Sequence, residues 1–233
     1  MVEIIVMNEH FEILSIIDDF SSLVWAPTFF GVGEFQFECN IKYLNSIISG
    51  SYIFRNDDED TGVIEYFNFI KDETGSRNLL VKGKFLKILL DERAVHETMN
   101  FNNKTSEEIV LGLISRHFIE TKQFPRFEVQ YANNFTDKIS TQITGKSVLE
   151  RIINIEEEQK VGCKVKYDYL NDKIICSVIE GRDLTQNQSE NDWVVFSEER
   201  ENIFDFEYSK IKTFKNFAYI AGAGEGNERI VAT

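Results

Sequence analysis

The sequence is poor in proline, cysteine and histidine, with 2, 3 and 3 of these residues among 233. The cysteines, Cys39, Cys163 and Cys176, are odd in number and far apart, so we expect reduced thiols rather than a disulfide framework. No cysteine or histidine pair has the spacing of a zinc site, and no zinc-protease motif is present. The sequence therefore predicts no metal and no cofactor.

Basic residues and long apolar runs are also scarce. Lys and Arg total 25 against 39 Asp and Glu, and the resulting net charge of -14 disfavours tight binding to nucleic-acid phosphates. The acidic N-terminal segment lacks the basic start of a signal peptide, and no apolar run has the length that spans a bilayer. Hydrophobic residues make up 42%, with 20 Phe and 8 Tyr, which is enough for a packed core.

Motifs that would mark a nucleophile or a phosphate site are missing too. The chain has no G-x-S-x-G elbow. A catalytic Cys–His pair is still possible from the sequence, because its two residues can be distant in the chain and adjacent in the fold. The glycines of YIAGAGEGNERIVAT, Gly222, Gly224 and Gly226, are not followed by the helix or the Lys-Ser/Thr pair of a phosphate loop. We interpret them as a turn between strands 219–221 and 230–232. With 39 carboxylates, a chance acid–base pair carries no weight.

The pattern of the first hundred residues predicts short strands. VEIIVMN and FEILSIID are β-rich, and in GEFQFECN the residues Phe35, Phe37 and Cys39 alternate with polar ones. The stretch from residue 50 to 83 predicts three strands joined by turns at NDDEDTG and KDETGS. Strands and turns at this spacing favour a small barrel or sandwich.

The acidic turn NDDEDTG invites comparison with a calcium loop. Counted from Asn56, the third and fifth positions are Asp58 and Asp60, as an EF-hand requires. The sixth is Thr61 instead of glycine, and the twelfth is Phe67 instead of glutamate. These two mismatches favour a solvated hairpin tip.

The middle of the chain predicts an α+β unit from about residue 100 to about 183. One helix begins at a capping box of Thr105 and Glu108, and a second at Ser147 with Glu150. Gly162 stands where the second helix is expected to end. The segment CKVKYDYLNDKIICSVIEG then predicts a hairpin, and the polar stretch GRDLTQNQSENDW predicts a loop before WVVF and later residues return to strands. His117, near the apolar stripe of the first helix, is expected to be a partly buried structural residue.

Several stretches in order resemble the tail-hub, baseplate-hub or tail-tip proteins of long-tailed phages. They are LVWAPTFFGVGEFQFEC, GSYIFRNDDEDTGVIEYF, LLVKGKFLKILLDERAV, CSVIEGRDLT and the segment from VVFSEEREN to GNERIV. The resemblance is spread over nearly the whole chain, and the order of the stretches is more specific than any one of them.

The resemblance implies an α+β, mainly β fold with three parts. Residues 1–98 would form a tube-type β-barrel domain, 99–183 an inserted α+β domain, and 184–233 the beginning of a second tube-type domain that continues beyond residue 233. Three copies of such a hub form a ring whose six tube domains match a sixfold tail tube. The implied partners are further copies, distal tail or tube proteins, the tape-measure protein and tail fibre or receptor-binding proteins.

The expected function is therefore a structural hub of a phage tail tip, assembled in the host cytoplasm, that lines the channel through which DNA passes. No catalytic residue is predicted. The candidate partner-interface residues are Trp25, Phe30, Asp57, Asp58 and Asp60. Two alternatives stay open from the sequence: a tail-associated cell-wall or glycan hydrolase, and a receptor- or carbohydrate-binding module, which the aromatic content would suit.

Overall fold

A computed structural model describes residues 2–71, 77–122, 124–203, 220–221 and 231–232. The chain divides into two compact units, Met1–Arg182 and Asp183–Thr233. Strands dominate the first unit, which confirms the predicted α+β, mainly β class. The predicted domain boundaries after residues 98 and 183 stay predictions.

Seven antiparallel strands form the largest sheet, in the order β2-β1-β5-β6-β7-β4-β3. The strands are β1 (Ile4–Met7), β2 (Ile13–Ile17), β3 (Ser22–Ala26), β4 (Glu34–Asn40), β5 (Tyr52–Arg55), β6 (Thr61–Lys71) and β7 (Arg77–Phe85). A short 3-10 helix (Ile41–Tyr43) and α1 (Leu44–Ser49) connect β4 to β5. The three strands predicted around NDDEDTG and KDETGS are confirmed as β5, β6 and β7, and residues 72–76 of the second turn lie outside the described part of the chain.

Alternation in β4 builds the core of this sheet. Phe35, Phe37 and Cys39 are buried on one face, as predicted, and Phe37 lies opposite Val81 of β7. The sheet has room for the Phe35 ring because Gly83 of β7 has no side chain. A Cβ atom at Gly83 would lie 2.6 Å from the ring and 1.9 Å from a backbone oxygen of β6.

The rest of the first unit combines two helices with two small sheets. A 3-10 helix (Leu86–Glu92) follows β7, and then come β8 (Met99–Thr105), α2 (Ser106–Ile114), a π-helical turn (Ser115–Ile119), β9 (Phe127–Gln130), β10 (Lys138–Ile143), α3 (Val148–Gln159), β11 (Val161–Asp168) and β12 (Lys173–Glu180). Strands β8 and β10 pair with each other, and β11-β12-β9 form a three-stranded sheet in which β9 runs parallel to β12.

Both helices begin where the sequence predicts, but α3 ends at a different residue from the predicted one. Both bonds of the capping box at Thr105 are present, from Glu108 N–H to the Thr105 hydroxyl and from Thr105 N–H to the Glu108 carboxylate. Ser147 caps α3, but the Glu150 carboxylate contacts Lys146 instead of closing a box. The predicted end at Gly162 is wrong, because Lys160 takes the left-handed cap at φ +56° and Gly162 lies inside β11.

A second core joins the helices to the three-stranded sheet and to parts of the first hundred residues. Its buried members come from α2, the π-helical turn, α3, β9, β10, β11 and β12, together with Leu86, Leu90 and Val95. Met7 and Phe11 of the β1–β2 hairpin also belong to it. The first sheet is therefore packed against the α+β part.

Only part of the second unit is described. It contains a 3-10 helix (Glu198–Arg200) and the antiparallel pair β13 (Ile220–Ala221) and β14 (Val231–Ala232). This pairing is what the predicted glycine turn requires, while the three glycines themselves lie outside the described residues. Residues 193–196, WVVF, form no strand, contrary to expectation. No helix in the described ranges is long and apolar enough to cross a membrane.

Candidate assembly surfaces

The two ends of the seven-stranded sheet, β2 and β3, pair with no further strand among the described residues. β2 exposes three large apolar side chains, Ile13 (50%), Leu14 (38%) and Ile16 (50%), and β3 exposes Val24. Edge strands present free backbone N–H and C=O groups to which another strand can pair. An apolar edge of this kind is a typical protein-association surface.

Trp25 and Asp57, two of the predicted interface residues, are connected through one arginine. Arg55 of β5 donates two bonds to the Asp57 carboxylate, of 2.9 and 2.7 Å, and its guanidinium lies 5.3 Å from the centre of the Trp25 ring. β5 and β3 are four strands apart, which is about 19 Å in a flat sheet. The contact between their side chains therefore requires the sheet to curl.

The Trp25 ring is largely engaged inside the protein. It packs edge-on against Phe85 with ring centres 4.9 Å apart, and it lies 5.7 Å from Phe35. Its indole N–H is buried and has no hydrogen-bond acceptor among the described residues. These contacts give Trp25 a packing role, and an interface role stays a prediction.

Phe30 lies apart from the other candidates, on the loop between β3 and β4. Its ring contacts Phe29 edge-on at 5.0 Å, and the Lys160 ammonium lies 5.7 Å from its centre. Phe29 in turn lies against Gly162 and Gly181, where an added Cβ atom would approach its ring to 3.0 and 3.3 Å. The loop is thus held against β11 and β12, with Phe30 partly exposed on its surface.

The acidic turn is exposed to solvent, as predicted, and it is also tied to the α+β part. Glu59 forms ion pairs with Lys164 and Lys166 of β11, and these lower the pKa of its carboxyl group. The bonds from Arg55 lower the pKa of Asp57. Asp58 accepts a 2.8 Å bond from the Asp60 N–H, and burial followed by the charge of Asp58 raises the pKa of Asp60. The prediction of a solvated tip missed the lysine contacts, which lie more than one hundred residues away in the chain.

A groove of about 1350 Å³ lies between the first sheet and the three-stranded sheet. One wall is formed by Ile5, Met7, Ile13 and Phe54, and the opposite wall by residues of β9, β11 and β12. Asp57, Asp58 and Glu59 of the acidic turn also line it. No local pattern in the sequence indicates this groove, because its walls come from segments that are distant in the chain.

The thiols and the buried histidine have environments that suit packing. Burial raises the pKa of Cys39 and of Cys163 to about 12, and it raises that of Cys176 as well. His117 is buried in the π-helical turn, with its ring 5.6 Å from that of His96. The described residues contain no cluster of three or more His, Cys, Asp or Glu that could hold a metal ion.

Comparison with solved structures finds phage-tail and secretion-system proteins. A tail protein from Neisseria meningitidis is 15% identical, with a TM-score of 0.44 over 75% of this chain and 50% of that one. Prophage tail protein gp18 from Listeria monocytogenes is 11% identical, with a TM-score of 0.44 over the same shares of the two chains. The Francisella PdpA-VgrG complex in its lidded form gives 16% identity and a TM-score of 0.40 over 97% of this chain and 34% of that one.

The chain thus spans about half the length of the first two structures, or 50% of each. No curated protein gives a significant match. The model of the family described as Siphovirus ReqiPepy6 Gp37-like protein matches residues 2–233. This match confirms the resemblance to long-tailed phage tail proteins, and the chain belongs to the Siphovirus ReqiPepy6 Gp37-like protein family.

Proposed function

We propose that this chain is a non-enzymatic structural hub of a phage tail tip, which forms a ring of copies around the channel for DNA. The observation that carries the proposal is the apolar free edge of β2, with Ile13, Leu14 and Ile16 exposed. Family membership supports the tail location. In a ring, each exposed edge is covered by a neighbouring subunit, so closure removes the aggregation hazard that an isolated edge carries.

The curled first sheet supports its assignment as a tube-type domain. On this proposal residues 1–98 form the first tube domain, 99–183 the α+β domain and 184–233 the beginning of a second tube domain. Three copies would supply six tube domains to the ring. The copies would assemble in the host cytoplasm and meet distal tail or tube proteins, the tape-measure protein and fibre or receptor-binding proteins.

The acidic composition supports a channel through which DNA moves without binding. A net charge of -14 repels the phosphate backbone, and the repulsion lets DNA slide along the wall. Lysine substitutions of lumen carboxylates, once the ring geometry is known, should slow genome ejection in a single-particle ejection assay. Unchanged ejection would contradict an electrostatic role for the wall.

The state of the thiols supports a role without bond-making chemistry. A nucleophilic cysteine needs a lowered pKa and solvent access, whereas Cys39, Cys163 and Cys176 are buried and have raised pKa values. The Asp57 and Glu59 carboxylates in the groove are held by ion pairs with basic side chains. Release of soluble fragments from peptidoglycan by the purified chain would contradict this part of the proposal.

Photo-crosslinking in assembled tails tests the ring directly. Ile16 on the β2 edge is replaced by benzoylphenylalanine in the phage gene, and the matched control carries the same replacement at Ile48, an exposed residue of α1. Irradiated tails should give bands of two and three linked copies for position 16 and far fewer for position 48. Crosslinks from position 16 only to a different protein, or none, would contradict pairing between copies.

A further inference from the structure

We propose that the groove receives an extended segment of a partner protein as a fourth strand beside β9, a segment that presents both apolar and basic side chains to the groove. The proposal goes beyond ring formation and does not depend on it, because it rests only on the walls of the groove. Three properties of these walls support it: a free backbone edge, an apolar surface opposite that edge, and uncompensated negative charge.

The free edge is located by the hydrogen bonds between β9 and β12. Ile174 N–H donates to the Arg126 carbonyl at 2.8 Å, and the parallel register places Cys176 opposite Val129. In a parallel ladder the N–H and C=O groups of alternate residues point to the same neighbour. Those of Glu128 and Gln130 therefore point to β12, whereas those of Val129 point away from it.

Val129 thus offers one backbone donor and one acceptor on the side of β9 where no described strand lies. Val129 is also one of the residues that line the groove. A peptide that enters the groove in extended form can accept from and donate to these two groups. This is the mode in which proteins add a strand to an exposed sheet edge.

The size and the opposite wall favour a peptide over a small molecule. At about 1350 Å³ the groove is larger than the range of roughly 300–1,000 Å³ that is usual for small-molecule sites. Ile5, Ile13 and Phe54 face it from the first sheet. The strand registers place Lys166, Ile175 and Glu128 on one face of the three-stranded sheet, and this face borders the groove. An extended segment beside β9 presents every second side chain to that face, and apolar residues among these would pack on the wall of the first sheet.

The charges on the walls specify that the remaining groove-facing side chains of the segment are basic. Five carboxylates and two ammonium groups line the groove: Asp57, Asp58, Glu59, Glu128, Asp168, Lys166 and Lys173. Asp57 and Glu59 already have cationic partners, but Asp58 and Glu128 form no ion pair among the described residues. Lysine or arginine side chains of the incoming segment would supply those partners.

Two other occupants fit less well. A second copy of this chain carries the same net charge of -14 and would meet repulsion at these carboxylates. A glycan could stack on Tyr169, which is exposed and lines the groove, but the Tyr167 ring is already stacked on Phe11 at 3.8 Å, and a glycan would leave the backbone edge of β9 unpaired. A cationic protein segment is the occupant that suits both the backbone edge and the charge.

Peptide binding to the purified chain tests the proposal. The probe is a fluorescent octapeptide of sequence KKVVKKVV, in which each face of the extended strand carries both lysine and valine, and the comparison peptide is EEVVEEVV. Fluorescence anisotropy should show saturable binding of the basic peptide that weakens as salt is added, and no comparable binding of the acidic one. Equal binding of both peptides, or no binding of the basic one, would overturn the proposal.

Substitutions at Val129 distinguish backbone pairing of the peptide with β9 from electrostatic attraction between the peptide and the acidic chain. Val129→Pro removes the outward N–H group but none of the bonds to β12, and proline is tolerated at such an edge position. It should weaken binding by about tenfold relative to Val129→Ala, which keeps the N–H group. Equal affinity of the two variants would show that the peptide does not pair with β9.

The charge requirement has its own matched pair of variants. Glu128→Gln should reduce affinity by about two- to fivefold, whereas Glu157→Gln, the same change on the exposed face of α3, should have no effect. Light scattering on the same samples excludes the alternative occupant. If the wild-type chain self-associates and Val129→Pro alone abolishes this, the occupant is a second copy and the proposal of a cationic partner is wrong.

Discussion

Lys87 and Glu156 form an ion pair inside the protein, with side chains only 7% and 0% exposed. The Glu156 carboxylate also accepts hydrogen bonds from the Gly31 N–H at 3.1 Å and the Cys163 N–H at 2.6 Å. One carboxylate therefore connects the 3-10 helix after β7, the loop that carries Phe30 and the beginning of β11. A charge buried to this degree is tolerated only while its partners are present.

Replacing Glu156 by glutamine should destabilise the protein strongly. Glu156→Gln leaves the Lys87 ammonium buried without a counter-charge, and such losses typically cost about 3–5 kcal/mol. Urea denaturation followed by circular dichroism measures the change in the free energy of unfolding. The control is Glu157→Gln on the exposed neighbouring position, which should stay within about 0.5 kcal/mol of wild type. Similar stabilities for the two variants would mean that the buried pair contributes little.

Gly83 should not tolerate even a methyl group. In Gly83→Ala the new Cβ atom would meet the Val63 backbone oxygen at 1.9 Å and the Phe35 ring at 2.6 Å, so strands β6 and β7 would have to separate. We expect a loss of about 3 kcal/mol in the free energy of unfolding, measured by urea titration. Gly145→Asn is the control, because Gly145 has open space around it and asparagine tolerates its φ of +62°. A Gly83→Ala protein as stable as this control would contradict the packing described for the first sheet.

The elements that sequence predicted well are those with a local signature. Alternation in residues 34–40 sets the face on which Phe35 and Phe37 are buried, and the Thr105 and Glu108 pair sets the start of α2. Both signals depend only on neighbouring residues. The end of α3 was missed because Lys160, rather than a glycine, adopts the left-handed cap.

The groove and its charges could not be predicted in the same way. Glu59 contacts Lys164 across 105 residues, and Lys87 contacts Glu156 across 69. Nothing in the local pattern of either residue distinguishes it from an exposed charge. The direction of the Val129 N–H and C=O groups, away from β12, depends on the parallel register of β9 with β12. That register is decided by packing between segments rather than by either strand alone.

The three thiols should react only when the protein unfolds. Cys39, Cys163 and Cys176 are buried, and burial raises their pKa values, so few thiolates exist at pH 8. An excess of dithiobis(nitrobenzoate) should label the native chain very slowly and all three thiols at once in urea, as absorbance at 412 nm reports. Rapid labelling of one thiol in the native protein would show an accessible reactive cysteine and would reopen a catalytic interpretation.

Protonation of His117 should weaken the fold as the solution becomes acidic. Burial lowers the pKa of His117 below its usual 6.5, with a smaller contribution from His96 and Arg116, while Glu97 and Glu120 act in the opposite direction. As the pH is lowered below about 6.5, the unfolded chain binds a proton at this residue before the folded chain does. The free energy of unfolding therefore decreases with decreasing pH, until the pH is below the lowered pKa of the folded state. Urea titrations between pH 7.5 and 5.0 should show this decline in the wild type and a flatter profile in His117→Gln. Carboxylates with lowered pKa values that do not interact with His117, such as that of Asp57, lose their contribution only at more acidic pH and should affect both proteins alike. Parallel profiles for the two proteins across this range would show that His117 is not the residue responsible.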